Sequence, residues 1–179
     1  MYKSFWNEEL ETKPWKEVLE WQSNKIAHFV SALPSRSNFY REHLSKNKTR
    51  GLKTYEHLSD LPFTTKQDIR DAQAVLTQTE PFGRNQSVNQ EEIIQSVCSS
   101  GTTGSPMYYA LTRKDLDVWV DGIANTFYTT GIRADDMVAH LVSLPMVAGG
   151  MSYADGFRKI GATLCWLGGF PKERILREM

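Results

Sequence analysis

Cysteine is scarce in this sequence, and long apolar runs are missing. The two cysteines, Cys98 and Cys165, lie far apart and form no C-x-x-C pair, which argues against a disulfide scaffold and against a zinc cage. The opening residues, MYKSFWNEEL, lack the apolar core of a signal peptide, and no segment approaches the ~20 apolar residues of a membrane span. We therefore expect a cytoplasmic protein without a membrane partner.

An excess of charge of either sign is also absent. The 179 residues carry 21 basic and 21 acidic side chains, and 40% of them are hydrophobic. Balanced charge provides no electrostatic reason to bind nucleic acid, and the aromatic residues are not interleaved with a dense basic run. The apolar content is sufficient for a folded core. The composition predicts one folded domain, or a small domain and a further piece, with no nucleic-acid partner.

The best-known phosphate-binding sequences are missing as well. The pattern G-x-G-x-x-G does not occur, and residues 99–106, SSGTTGSP, are not a Walker A loop, because Pro106 stands where the second glycine would be. The segment still has the features of an anion-binding loop, since Gly101 and Gly104 permit positive φ and close backbone approach. It also offers four hydroxyl donors: Ser99, Ser100, Thr102 and Thr103. An ordinary Ser/Thr/Gly turn has the same composition, so the residues alone leave both interpretations open.

The first half of the sequence has the periodicity of helices. Thr12 is expected to cap a helix that has Pro14 in its first turn and that Pro34 ends. Its apolar positions recur at helical spacing: Val18, Leu19, Ile26, Phe29, Val30 and Leu33. Shorter helices are predicted around residues 38–46 and 65–76. No metal site is predicted, because no carboxylate or cysteine stands at ligand spacing from the histidines of this part, His28, His43 and His57.

The second half alternates between strands and helices. IIQSVC and MYYAL read as strands before and after the loop, and Pro106 favours an extended exit from it. A long helix capped by Thr112 and Asp115 and ended by Gly131 follows. A strand at residues 137–142, a helix at 150–160 and a strand at 163–167 complete the pattern. This alternation predicts the α/β class with parallel neighbouring strands.

Seven short segments carry a resemblance to a known family: FWNEELET, NFYREHL, LPFTTKQDIRDA, PFG, SSGTTGSP, LTRKDLDVW and GIRADDMV. Together they resemble the opening of the phenylacetate-CoA ligase family, within the adenylate-forming acyl-CoA synthetase superfamily. The resemblance covers essentially the whole chain and favours the nucleotide interpretation of the loop. It implies a helical N-terminal region, residues 1–88, followed by the first part of the AMP-binding α/β core, residues 89–179.

The activity that the resemblance implies is that of an ATP-dependent, AMP-forming carboxylate-CoA ligase. The acid attacks the α-phosphorus of ATP, and CoA then displaces AMP. ATP, Mg²⁺ and CoA are the implied cofactors, and a small aromatic or aliphatic carboxylic acid is the implied substrate. Six residues match the family's phosphate loop: Ser99, Ser100, Gly101, Thr102, Thr103 and Gly104. Ser105 departs from the family, where lysine is common, so the loop has hydrogen-bond donors without that positive charge.

A second matching segment implies the acyl pocket. Residues 141–156, LVSLPMVAGGMSYADG, are similar to the family's segment near the aryl group. The expected substrate-binding positions are Val142, Leu144, Val147, Gly149 and Gly150. The three aliphatic residues stand where aromatic side chains are usual, which predicts a reshaped apolar pocket; the alternative is that they are strand residues of the core. No residue is assigned a catalytic role.

Some of the family's later motifs have no counterpart in these residues. They are the adenine-binding motif, the acidic residue that holds the ribose, the hinge and the C-terminal domain with its lysine. We therefore expect an N-terminal portion that is inactive alone and works with a C-terminal adenylation fragment, and an open strand edge that favours a homo-oligomer. The alternatives are a non-catalytic nucleotide-binding or assembly module and the remnant of a truncated ligase gene. A serine hydrolase is disfavoured, because no histidine follows Ser152.

Overall fold

The computed structural model describes residues 2–45, 55–99, 106–142 and 148–178. Helices make up most of the first half: α1 (Glu8–Glu11), α2 (Trp15–Arg36), α3 (Asn38–Ser45) and α4 (Lys66–Ala74), with 3₁₀ turns at Tyr55–Asp60 and Gln90–Glu92. The second half contains β1 (Ile93–Cys98), β2 (Tyr108–Thr112), α5 (Arg113–Thr129), β3 (Met137–His140), α6 (Ala148–Ile160), β4 (Thr163–Trp166) and α7 (Lys172–Glu178).

Helix α2 departs from the sequence prediction at both ends. The prediction that Thr12 caps it is wrong, because Thr12 is the C-cap of α1 and Pro14 is the N-cap of α2. The prediction that Pro34 ends the helix is also wrong. The proline ring holds φ in the helical range, and the Ser37 N–H still donates to the Leu33 carbonyl at 3.0 Å. The helix therefore continues through Pro34 to its last turn.

The apolar face of α2 is less buried than its spacing predicts. None of its described residues is buried, and Phe29 is 63% exposed. Helix α3 agrees better with the prediction, because Leu44 is buried and the rings of Phe39 and Tyr40 lie edge to face with centroids 4.9 Å apart. Periodicity identifies the helix, whereas burial depends on which elements pack against it.

Two capping boxes begin helices where the sequence predicts them. The Thr65 side chain accepts the Asp68 N–H while the Asp68 carboxylate accepts the Thr65 N–H, at the start of α4. Thr112 and Asp115 make the same exchange at the start of α5. The predicted glycines after α5 and α6 have φ of +109° and +98°, a conformation that side chains with a Cβ rarely adopt. These local signals determine where α4 and α5 start and where α5 and α6 stop.

The described strands form two sheets of two strands each. β3 and β4 are parallel, with Met137 opposite Thr163 and His140 opposite Trp166, and α6 is their crossover helix. β1 and β2, between which the structure describes no helix, are antiparallel. The expectation of parallel neighbours concerned strands that alternate with helices, and β3 and β4 confirm it. Residues 99–107 connect β1 and β2, and a parallel crossover would need a longer connection of about a dozen residues or more. The α/β class itself is confirmed.

The core of the second half lies between α5 and α6. Ala124 of α5 and Ala154 of α6 are fully buried, so the two helix backbones approach closely. Aromatic rings fill the space beside them: the Phe127 centroid lies 4.2 Å from that of Phe157 and 5.6 Å from that of Tyr153. Helix α6 packs on β4 as well, and it thereby joins the helix pair to the parallel strands.

The first residues of the chain pack on α5. Trp6 Nε1 donates to Asp121 Oδ1 at 3.1 Å, and the Tyr128 hydroxyl donates to the Lys3 carbonyl at 2.6 Å. The Trp6 and Tyr128 rings are 5.5 Å apart between centroids. These contacts run across the predicted domain boundary after residue 88. The division into two domains stays a prediction.

We expect the substitution Asp121→Asn to flatten the dependence of stability on pH. The hydrogen bond from Lys159, 2.8 Å away, holds the pKa of the Asp121 carboxyl below its usual value, although partial burial opposes this and Trp6 adds a smaller effect in the same direction. A lowered folded-state pKa contributes stability that is present above the ordinary carboxyl pKa and lost as pH falls through the folded value. The measurement is the urea midpoint between about pH 5 and pH 2.

The control for this prediction is Asp117→Asn, an exposed aspartate on the same helix. Asp117→Asn should leave the pH profile close to that of the unaltered protein. Equal flattening by both variants would show that the Asp121 contacts with Lys159 and Trp6 contribute nothing specific.

Candidate functional site

The candidate nucleotide loop stands at the turn of the β1–β2 hairpin. The ladder pairs Cys98 with Tyr108. One position further, the Ser99 N–H donates to the Met107 carbonyl at 2.9 Å, and the Met107 N–H donates to Ser99 Oγ at 3.0 Å. The pairing therefore extends to the residue before the glycine-rich segment. This is the strand-loop-strand order that the sequence predicts.

Of the six residues predicted to hold phosphate, Ser99 is the one that the structure describes. Its hydroxyl oxygen accepts a backbone N–H at the base of the loop, which leaves the O–H available to donate to an anion. The remaining five, together with Ser105, lie outside the described residues: Ser100, Gly101, Thr102, Thr103 and Gly104. Their contacts with phosphate stay predictions.

Buried side chains anchor the hairpin at the end where the loop begins. Val97 is 3% exposed and Met107 is 7% exposed. They share a face of the hairpin because Val97 lies opposite Tyr109, two residues after Met107. The register shifts between Ile93 and Gln95 at the other end of the hairpin, a bulge that increases local twist. The two arms that lead into and out of the loop are thus fixed to the core.

A cavity of about 830 Å³ lies beside the strand that leaves the loop. Its wall includes Arg70 and Gln73 of α4, Phe82 of the PFG segment, and Pro106 and Tyr108. The segments LPFTTKQDIRDA and PFG are distant from the loop in sequence. The tertiary structure places both of them against its exit.

The described residues of the predicted acyl pocket lie next to β3 and in α6. Val142 follows β3 and is 40% exposed, and Gly149 and Gly150 lie in the first turn of α6. Leu144 and Val147 lie outside the described residues. Among the described strands, β3 pairs with β4, and the hairpin strands β1 and β2 form a separate sheet. Substrate binding by these residues stays a prediction.

Sequence reasoning missed His140, the last residue of β3. It is 3% exposed, its Nε2 lies 3.0 Å from the Gly150 carbonyl oxygen, and its ring centroid lies 4.7 Å from that of Trp166. A carbonyl only accepts, so Nε2 is the donor in this hydrogen bond. Nδ1 is buried without a hydrogen-bond partner in the described part of the chain. His140 therefore joins the carboxyl end of β3 to the first turn of α6, and a lone histidine in an apolar strand carries no sequence signal of this contact.

The described ranges contain neither a cluster of metal-ligating side chains nor a membrane-spanning helix. Within residues 2–45, 55–99, 106–142 and 148–178, no group of three or more His, Cys, Asp or Glu side chains could hold a metal ion. In the same ranges no helix is both long and apolar enough to cross a bilayer. Mg²⁺ commonly binds through substrate phosphates, water and one or two carboxylates, so it does not require such a cage.

Curated relatives identify the family. The chain is 30% identical over 168 residues to the phenylacetate-coenzyme A ligase of Thermus thermophilus, a match that covers 93% of this chain and 36% of that protein. This chain belongs to the phenylacetate-CoA ligase family. The ligase of Aromatoleum evansii is 34% identical over 126 residues, which cover 70% of this chain and 27% of that protein. The chain thus spans about a third of the length of these ligases and fits an N-terminal portion of them.

Solved structures show the same fold. A 2-hydroxyisobutyryl-CoA ligase in complex with 2-HIB-AMP and CoA matches 99% of this chain and 39% of its own, with a TM-score of 0.85 at 23% identity. The ligase in the postadenylation state with R3-HIB-AMP matches 98% of this chain and 37% of its own, with a TM-score of 0.86 at 21% identity. No protein-family profile matches the chain. The arrangement predicted for the phenylacetate-CoA ligase family, a helical region followed by an adenylate-forming α/β core, is confirmed.

Proposed function

We propose that this chain supplies the phosphate-binding part of an ATP-dependent, AMP-forming carboxylate-CoA ligase. One observation carries the proposal: in a chain that aligns with a phenylacetate-CoA ligase over 93% of its length, the SSGTTG segment falls at the turn of an anchored hairpin. Glycine-rich turns of this kind present successive N–H groups to an anion.

In the proposed reaction a carboxylate oxygen attacks the α-phosphorus of ATP and pyrophosphate leaves. The thiol of CoA then attacks the acyl carbon, and AMP leaves. The loop's part is to hold the β- and γ-phosphates through backbone N–H and hydroxyl donors, which stabilise the charge that develops on pyrophosphate. With Ser105 in place of a lysine, this neutralisation rests on hydrogen bonds and on the Mg²⁺ that accompanies the nucleotide.

The proposed substrate is a small carboxylic acid, aromatic or aliphatic. The curated relatives are named for phenylacetate and the structural neighbours for 2-hydroxyisobutyrate. We assign the acid to the segment after β3, where aliphatic Val142, Leu144 and Val147 would form a pocket of altered shape next to Gly149 and Gly150. The free thiols of Cys98 and Cys165 suit the reducing cytoplasm, where we place the reaction.

We further propose that the reaction requires a C-terminal adenylation fragment, because the chain spans about a third of the relatives' length. Apolar side chains at the strand ends are exposed, among them Met137 (74%) and Trp166 (45%). The unpaired backbone N–H and C=O groups of an edge strand can pair with another chain. This supports association with such a fragment, or with a second copy in its absence.

The test has two stages. Calorimetry of the chain with Mg²⁺ and ATP is expected to show binding. Addition of the C-terminal two thirds of the Thermus thermophilus relative and a panel of acids is then expected to release pyrophosphate in an acid-dependent manner. Binding without any release would favour the alternative of a non-catalytic nucleotide-binding module. Absence of ATP binding would overturn the proposal.

A further inference from the structure

The Gln73 side chain forms two hydrogen bonds with the backbone of a single strand residue. Gln73 Nε2 donates to the Tyr108 carbonyl at 2.7 Å, and the Tyr108 N–H donates to Gln73 Oε1 at 3.0 Å. Gln73 lies near the C-terminal end of α4, 35 residues before Tyr108. An amide that both donates to and accepts from one residue reproduces the pairing that a neighbouring strand would provide.

The position of Tyr108 explains why these backbone groups need a partner. In an antiparallel pair, residues alternate between those that bond across the ladder and those whose N–H and C=O point outward. Met107 bonds across to Ser99, so the backbone polar groups of Tyr108 point away from β1. Gln73 covers this open edge of β2 at the residue where the strand begins.

Gly83 allows the PFG segment to pack closely against α4. Its φ is +92°, and a Cβ at this position would lie 2.7 Å from both the Ala72 carbonyl oxygen and Gln73 Cα. The next residue, Arg84, donates its N–H to the same Ala72 carbonyl at 3.0 Å. Gly83 and Arg84 thus pack directly on the backbone of α4 beside Gln73, the residue that contacts β2.

We propose that Gln73 is a positioning residue for the phosphate loop. Only Pro106 and Met107 separate Tyr108 from residue 105, so the double hydrogen bond holds the chain within about 10 Å of the loop's end, at ~3.5 Å per residue. Gln73 touches no phosphate itself; it fixes the direction in which β2 leaves the loop. The inference rests on the proposed function, because it assigns Gln73 to the same nucleotide site.

The test compares Gln73→Met with Gln67→Met. Gln67 lies on the same helix and lines the same cavity, but its side-chain amide bonds to Asp71 within α4. Gln73→Met keeps the length of the side chain and removes both bonds to Tyr108. We expect faster amide hydrogen exchange at Tyr108 and at residues 101–105, and a dissociation constant for MgATP raised about tenfold. Gln67→Met should change neither quantity.

A second variant, Gln73→Glu, keeps the test decisive should Gln73→Met fold poorly. Its carboxylate accepts the Tyr108 N–H but cannot donate to the Tyr108 carbonyl, so loop exchange and MgATP affinity should lie between those of the unaltered chain and Gln73→Met. A merely structural role would lower the unfolding temperature without changing exchange in the loop. Loop exchange and affinity equal to those of Gln67→Met would overturn the inference. If the unaltered chain binds no ATP, the proposed function fails, and exchange at residues 101–105 still decides the role of Gln73.

Discussion

Replacing Thr102 and Thr103 together by valine is expected to weaken MgATP binding by a factor of about ten or more. The substitution removes two hydroxyl donors at nearly constant shape. A hydrogen bond to a charged group contributes about 1.5–3 kcal/mol, so the loss of one such bond at the low end of this range already corresponds to about tenfold. Without a lysine at position 105, the loop depends on such donors more than a loop with that charge would. The measurement is the dissociation constant of MgATP by titration calorimetry at fixed ionic strength, with the unfolding temperature recorded for each variant.

A matched control exists at the other end of the following helix. Thr129 and Thr130 are adjacent, exposed threonines at the C-terminal end of α5, about 25 Å along that helix from β2. Their hydroxyls bond locally to Asn125 and to the Phe127 carbonyl. The double valine variant there should leave MgATP affinity unchanged. If the Thr102 and Thr103 variant binds as tightly as this control, those hydroxyls do not hold phosphate.

The largest expected loss of stability comes from Gly156→Ala in α6. A Cβ at this position would lie 2.4 Å from Ile123 Cγ2 and 3.2 Å from the Ala124 backbone nitrogen. Ile123 is β-branched, so its Cγ2 sits close to the helix backbone and has little freedom to move away. Helices α5 and α6 must therefore separate, and overpacking of this kind costs about 1–3 kcal/mol or more. We expect a net loss of about 2 kcal/mol in the free energy of unfolding, measured by urea denaturation.

Gly122→Ala provides the control of opposite sign. Gly122 lies inside α5 and a Cβ there would meet nothing within 4 Å. Alanine exceeds glycine in helix propensity by about 1 kcal/mol, so this variant should be more stable than the unaltered protein. A gain of stability in both variants would show that α5 and α6 are not in close contact at Gly156.

Much of the fold could be predicted from local signals. The capping boxes Thr65/Asp68 and Thr112/Asp115 depend on residues three apart, and the strand Ile93–Cys98 is recognisable from its own composition. The family resemblance extended this reading to a nucleotide loop between two strands. Local signals were least informative at residues that are compatible with more than one local structure. Proline fixes a φ that a helix also uses, so Pro34 could remain inside α2.

The amino-acid sequence was sufficient for the starts of α4 and α5, the strands around the loop, the α/β class and the family, because each depends on neighbouring residues or on short matching segments. The three-dimensional structure was needed to show that Gln73 bonds to Tyr108 and that His140 bonds to Gly150. The two Gln73 bonds satisfy backbone groups of Tyr108 that face away from β1. Which side chain forms such a contact depends on how separate elements pack. The sequence around a glutamine or histidine does not indicate which distant residue it will bond to.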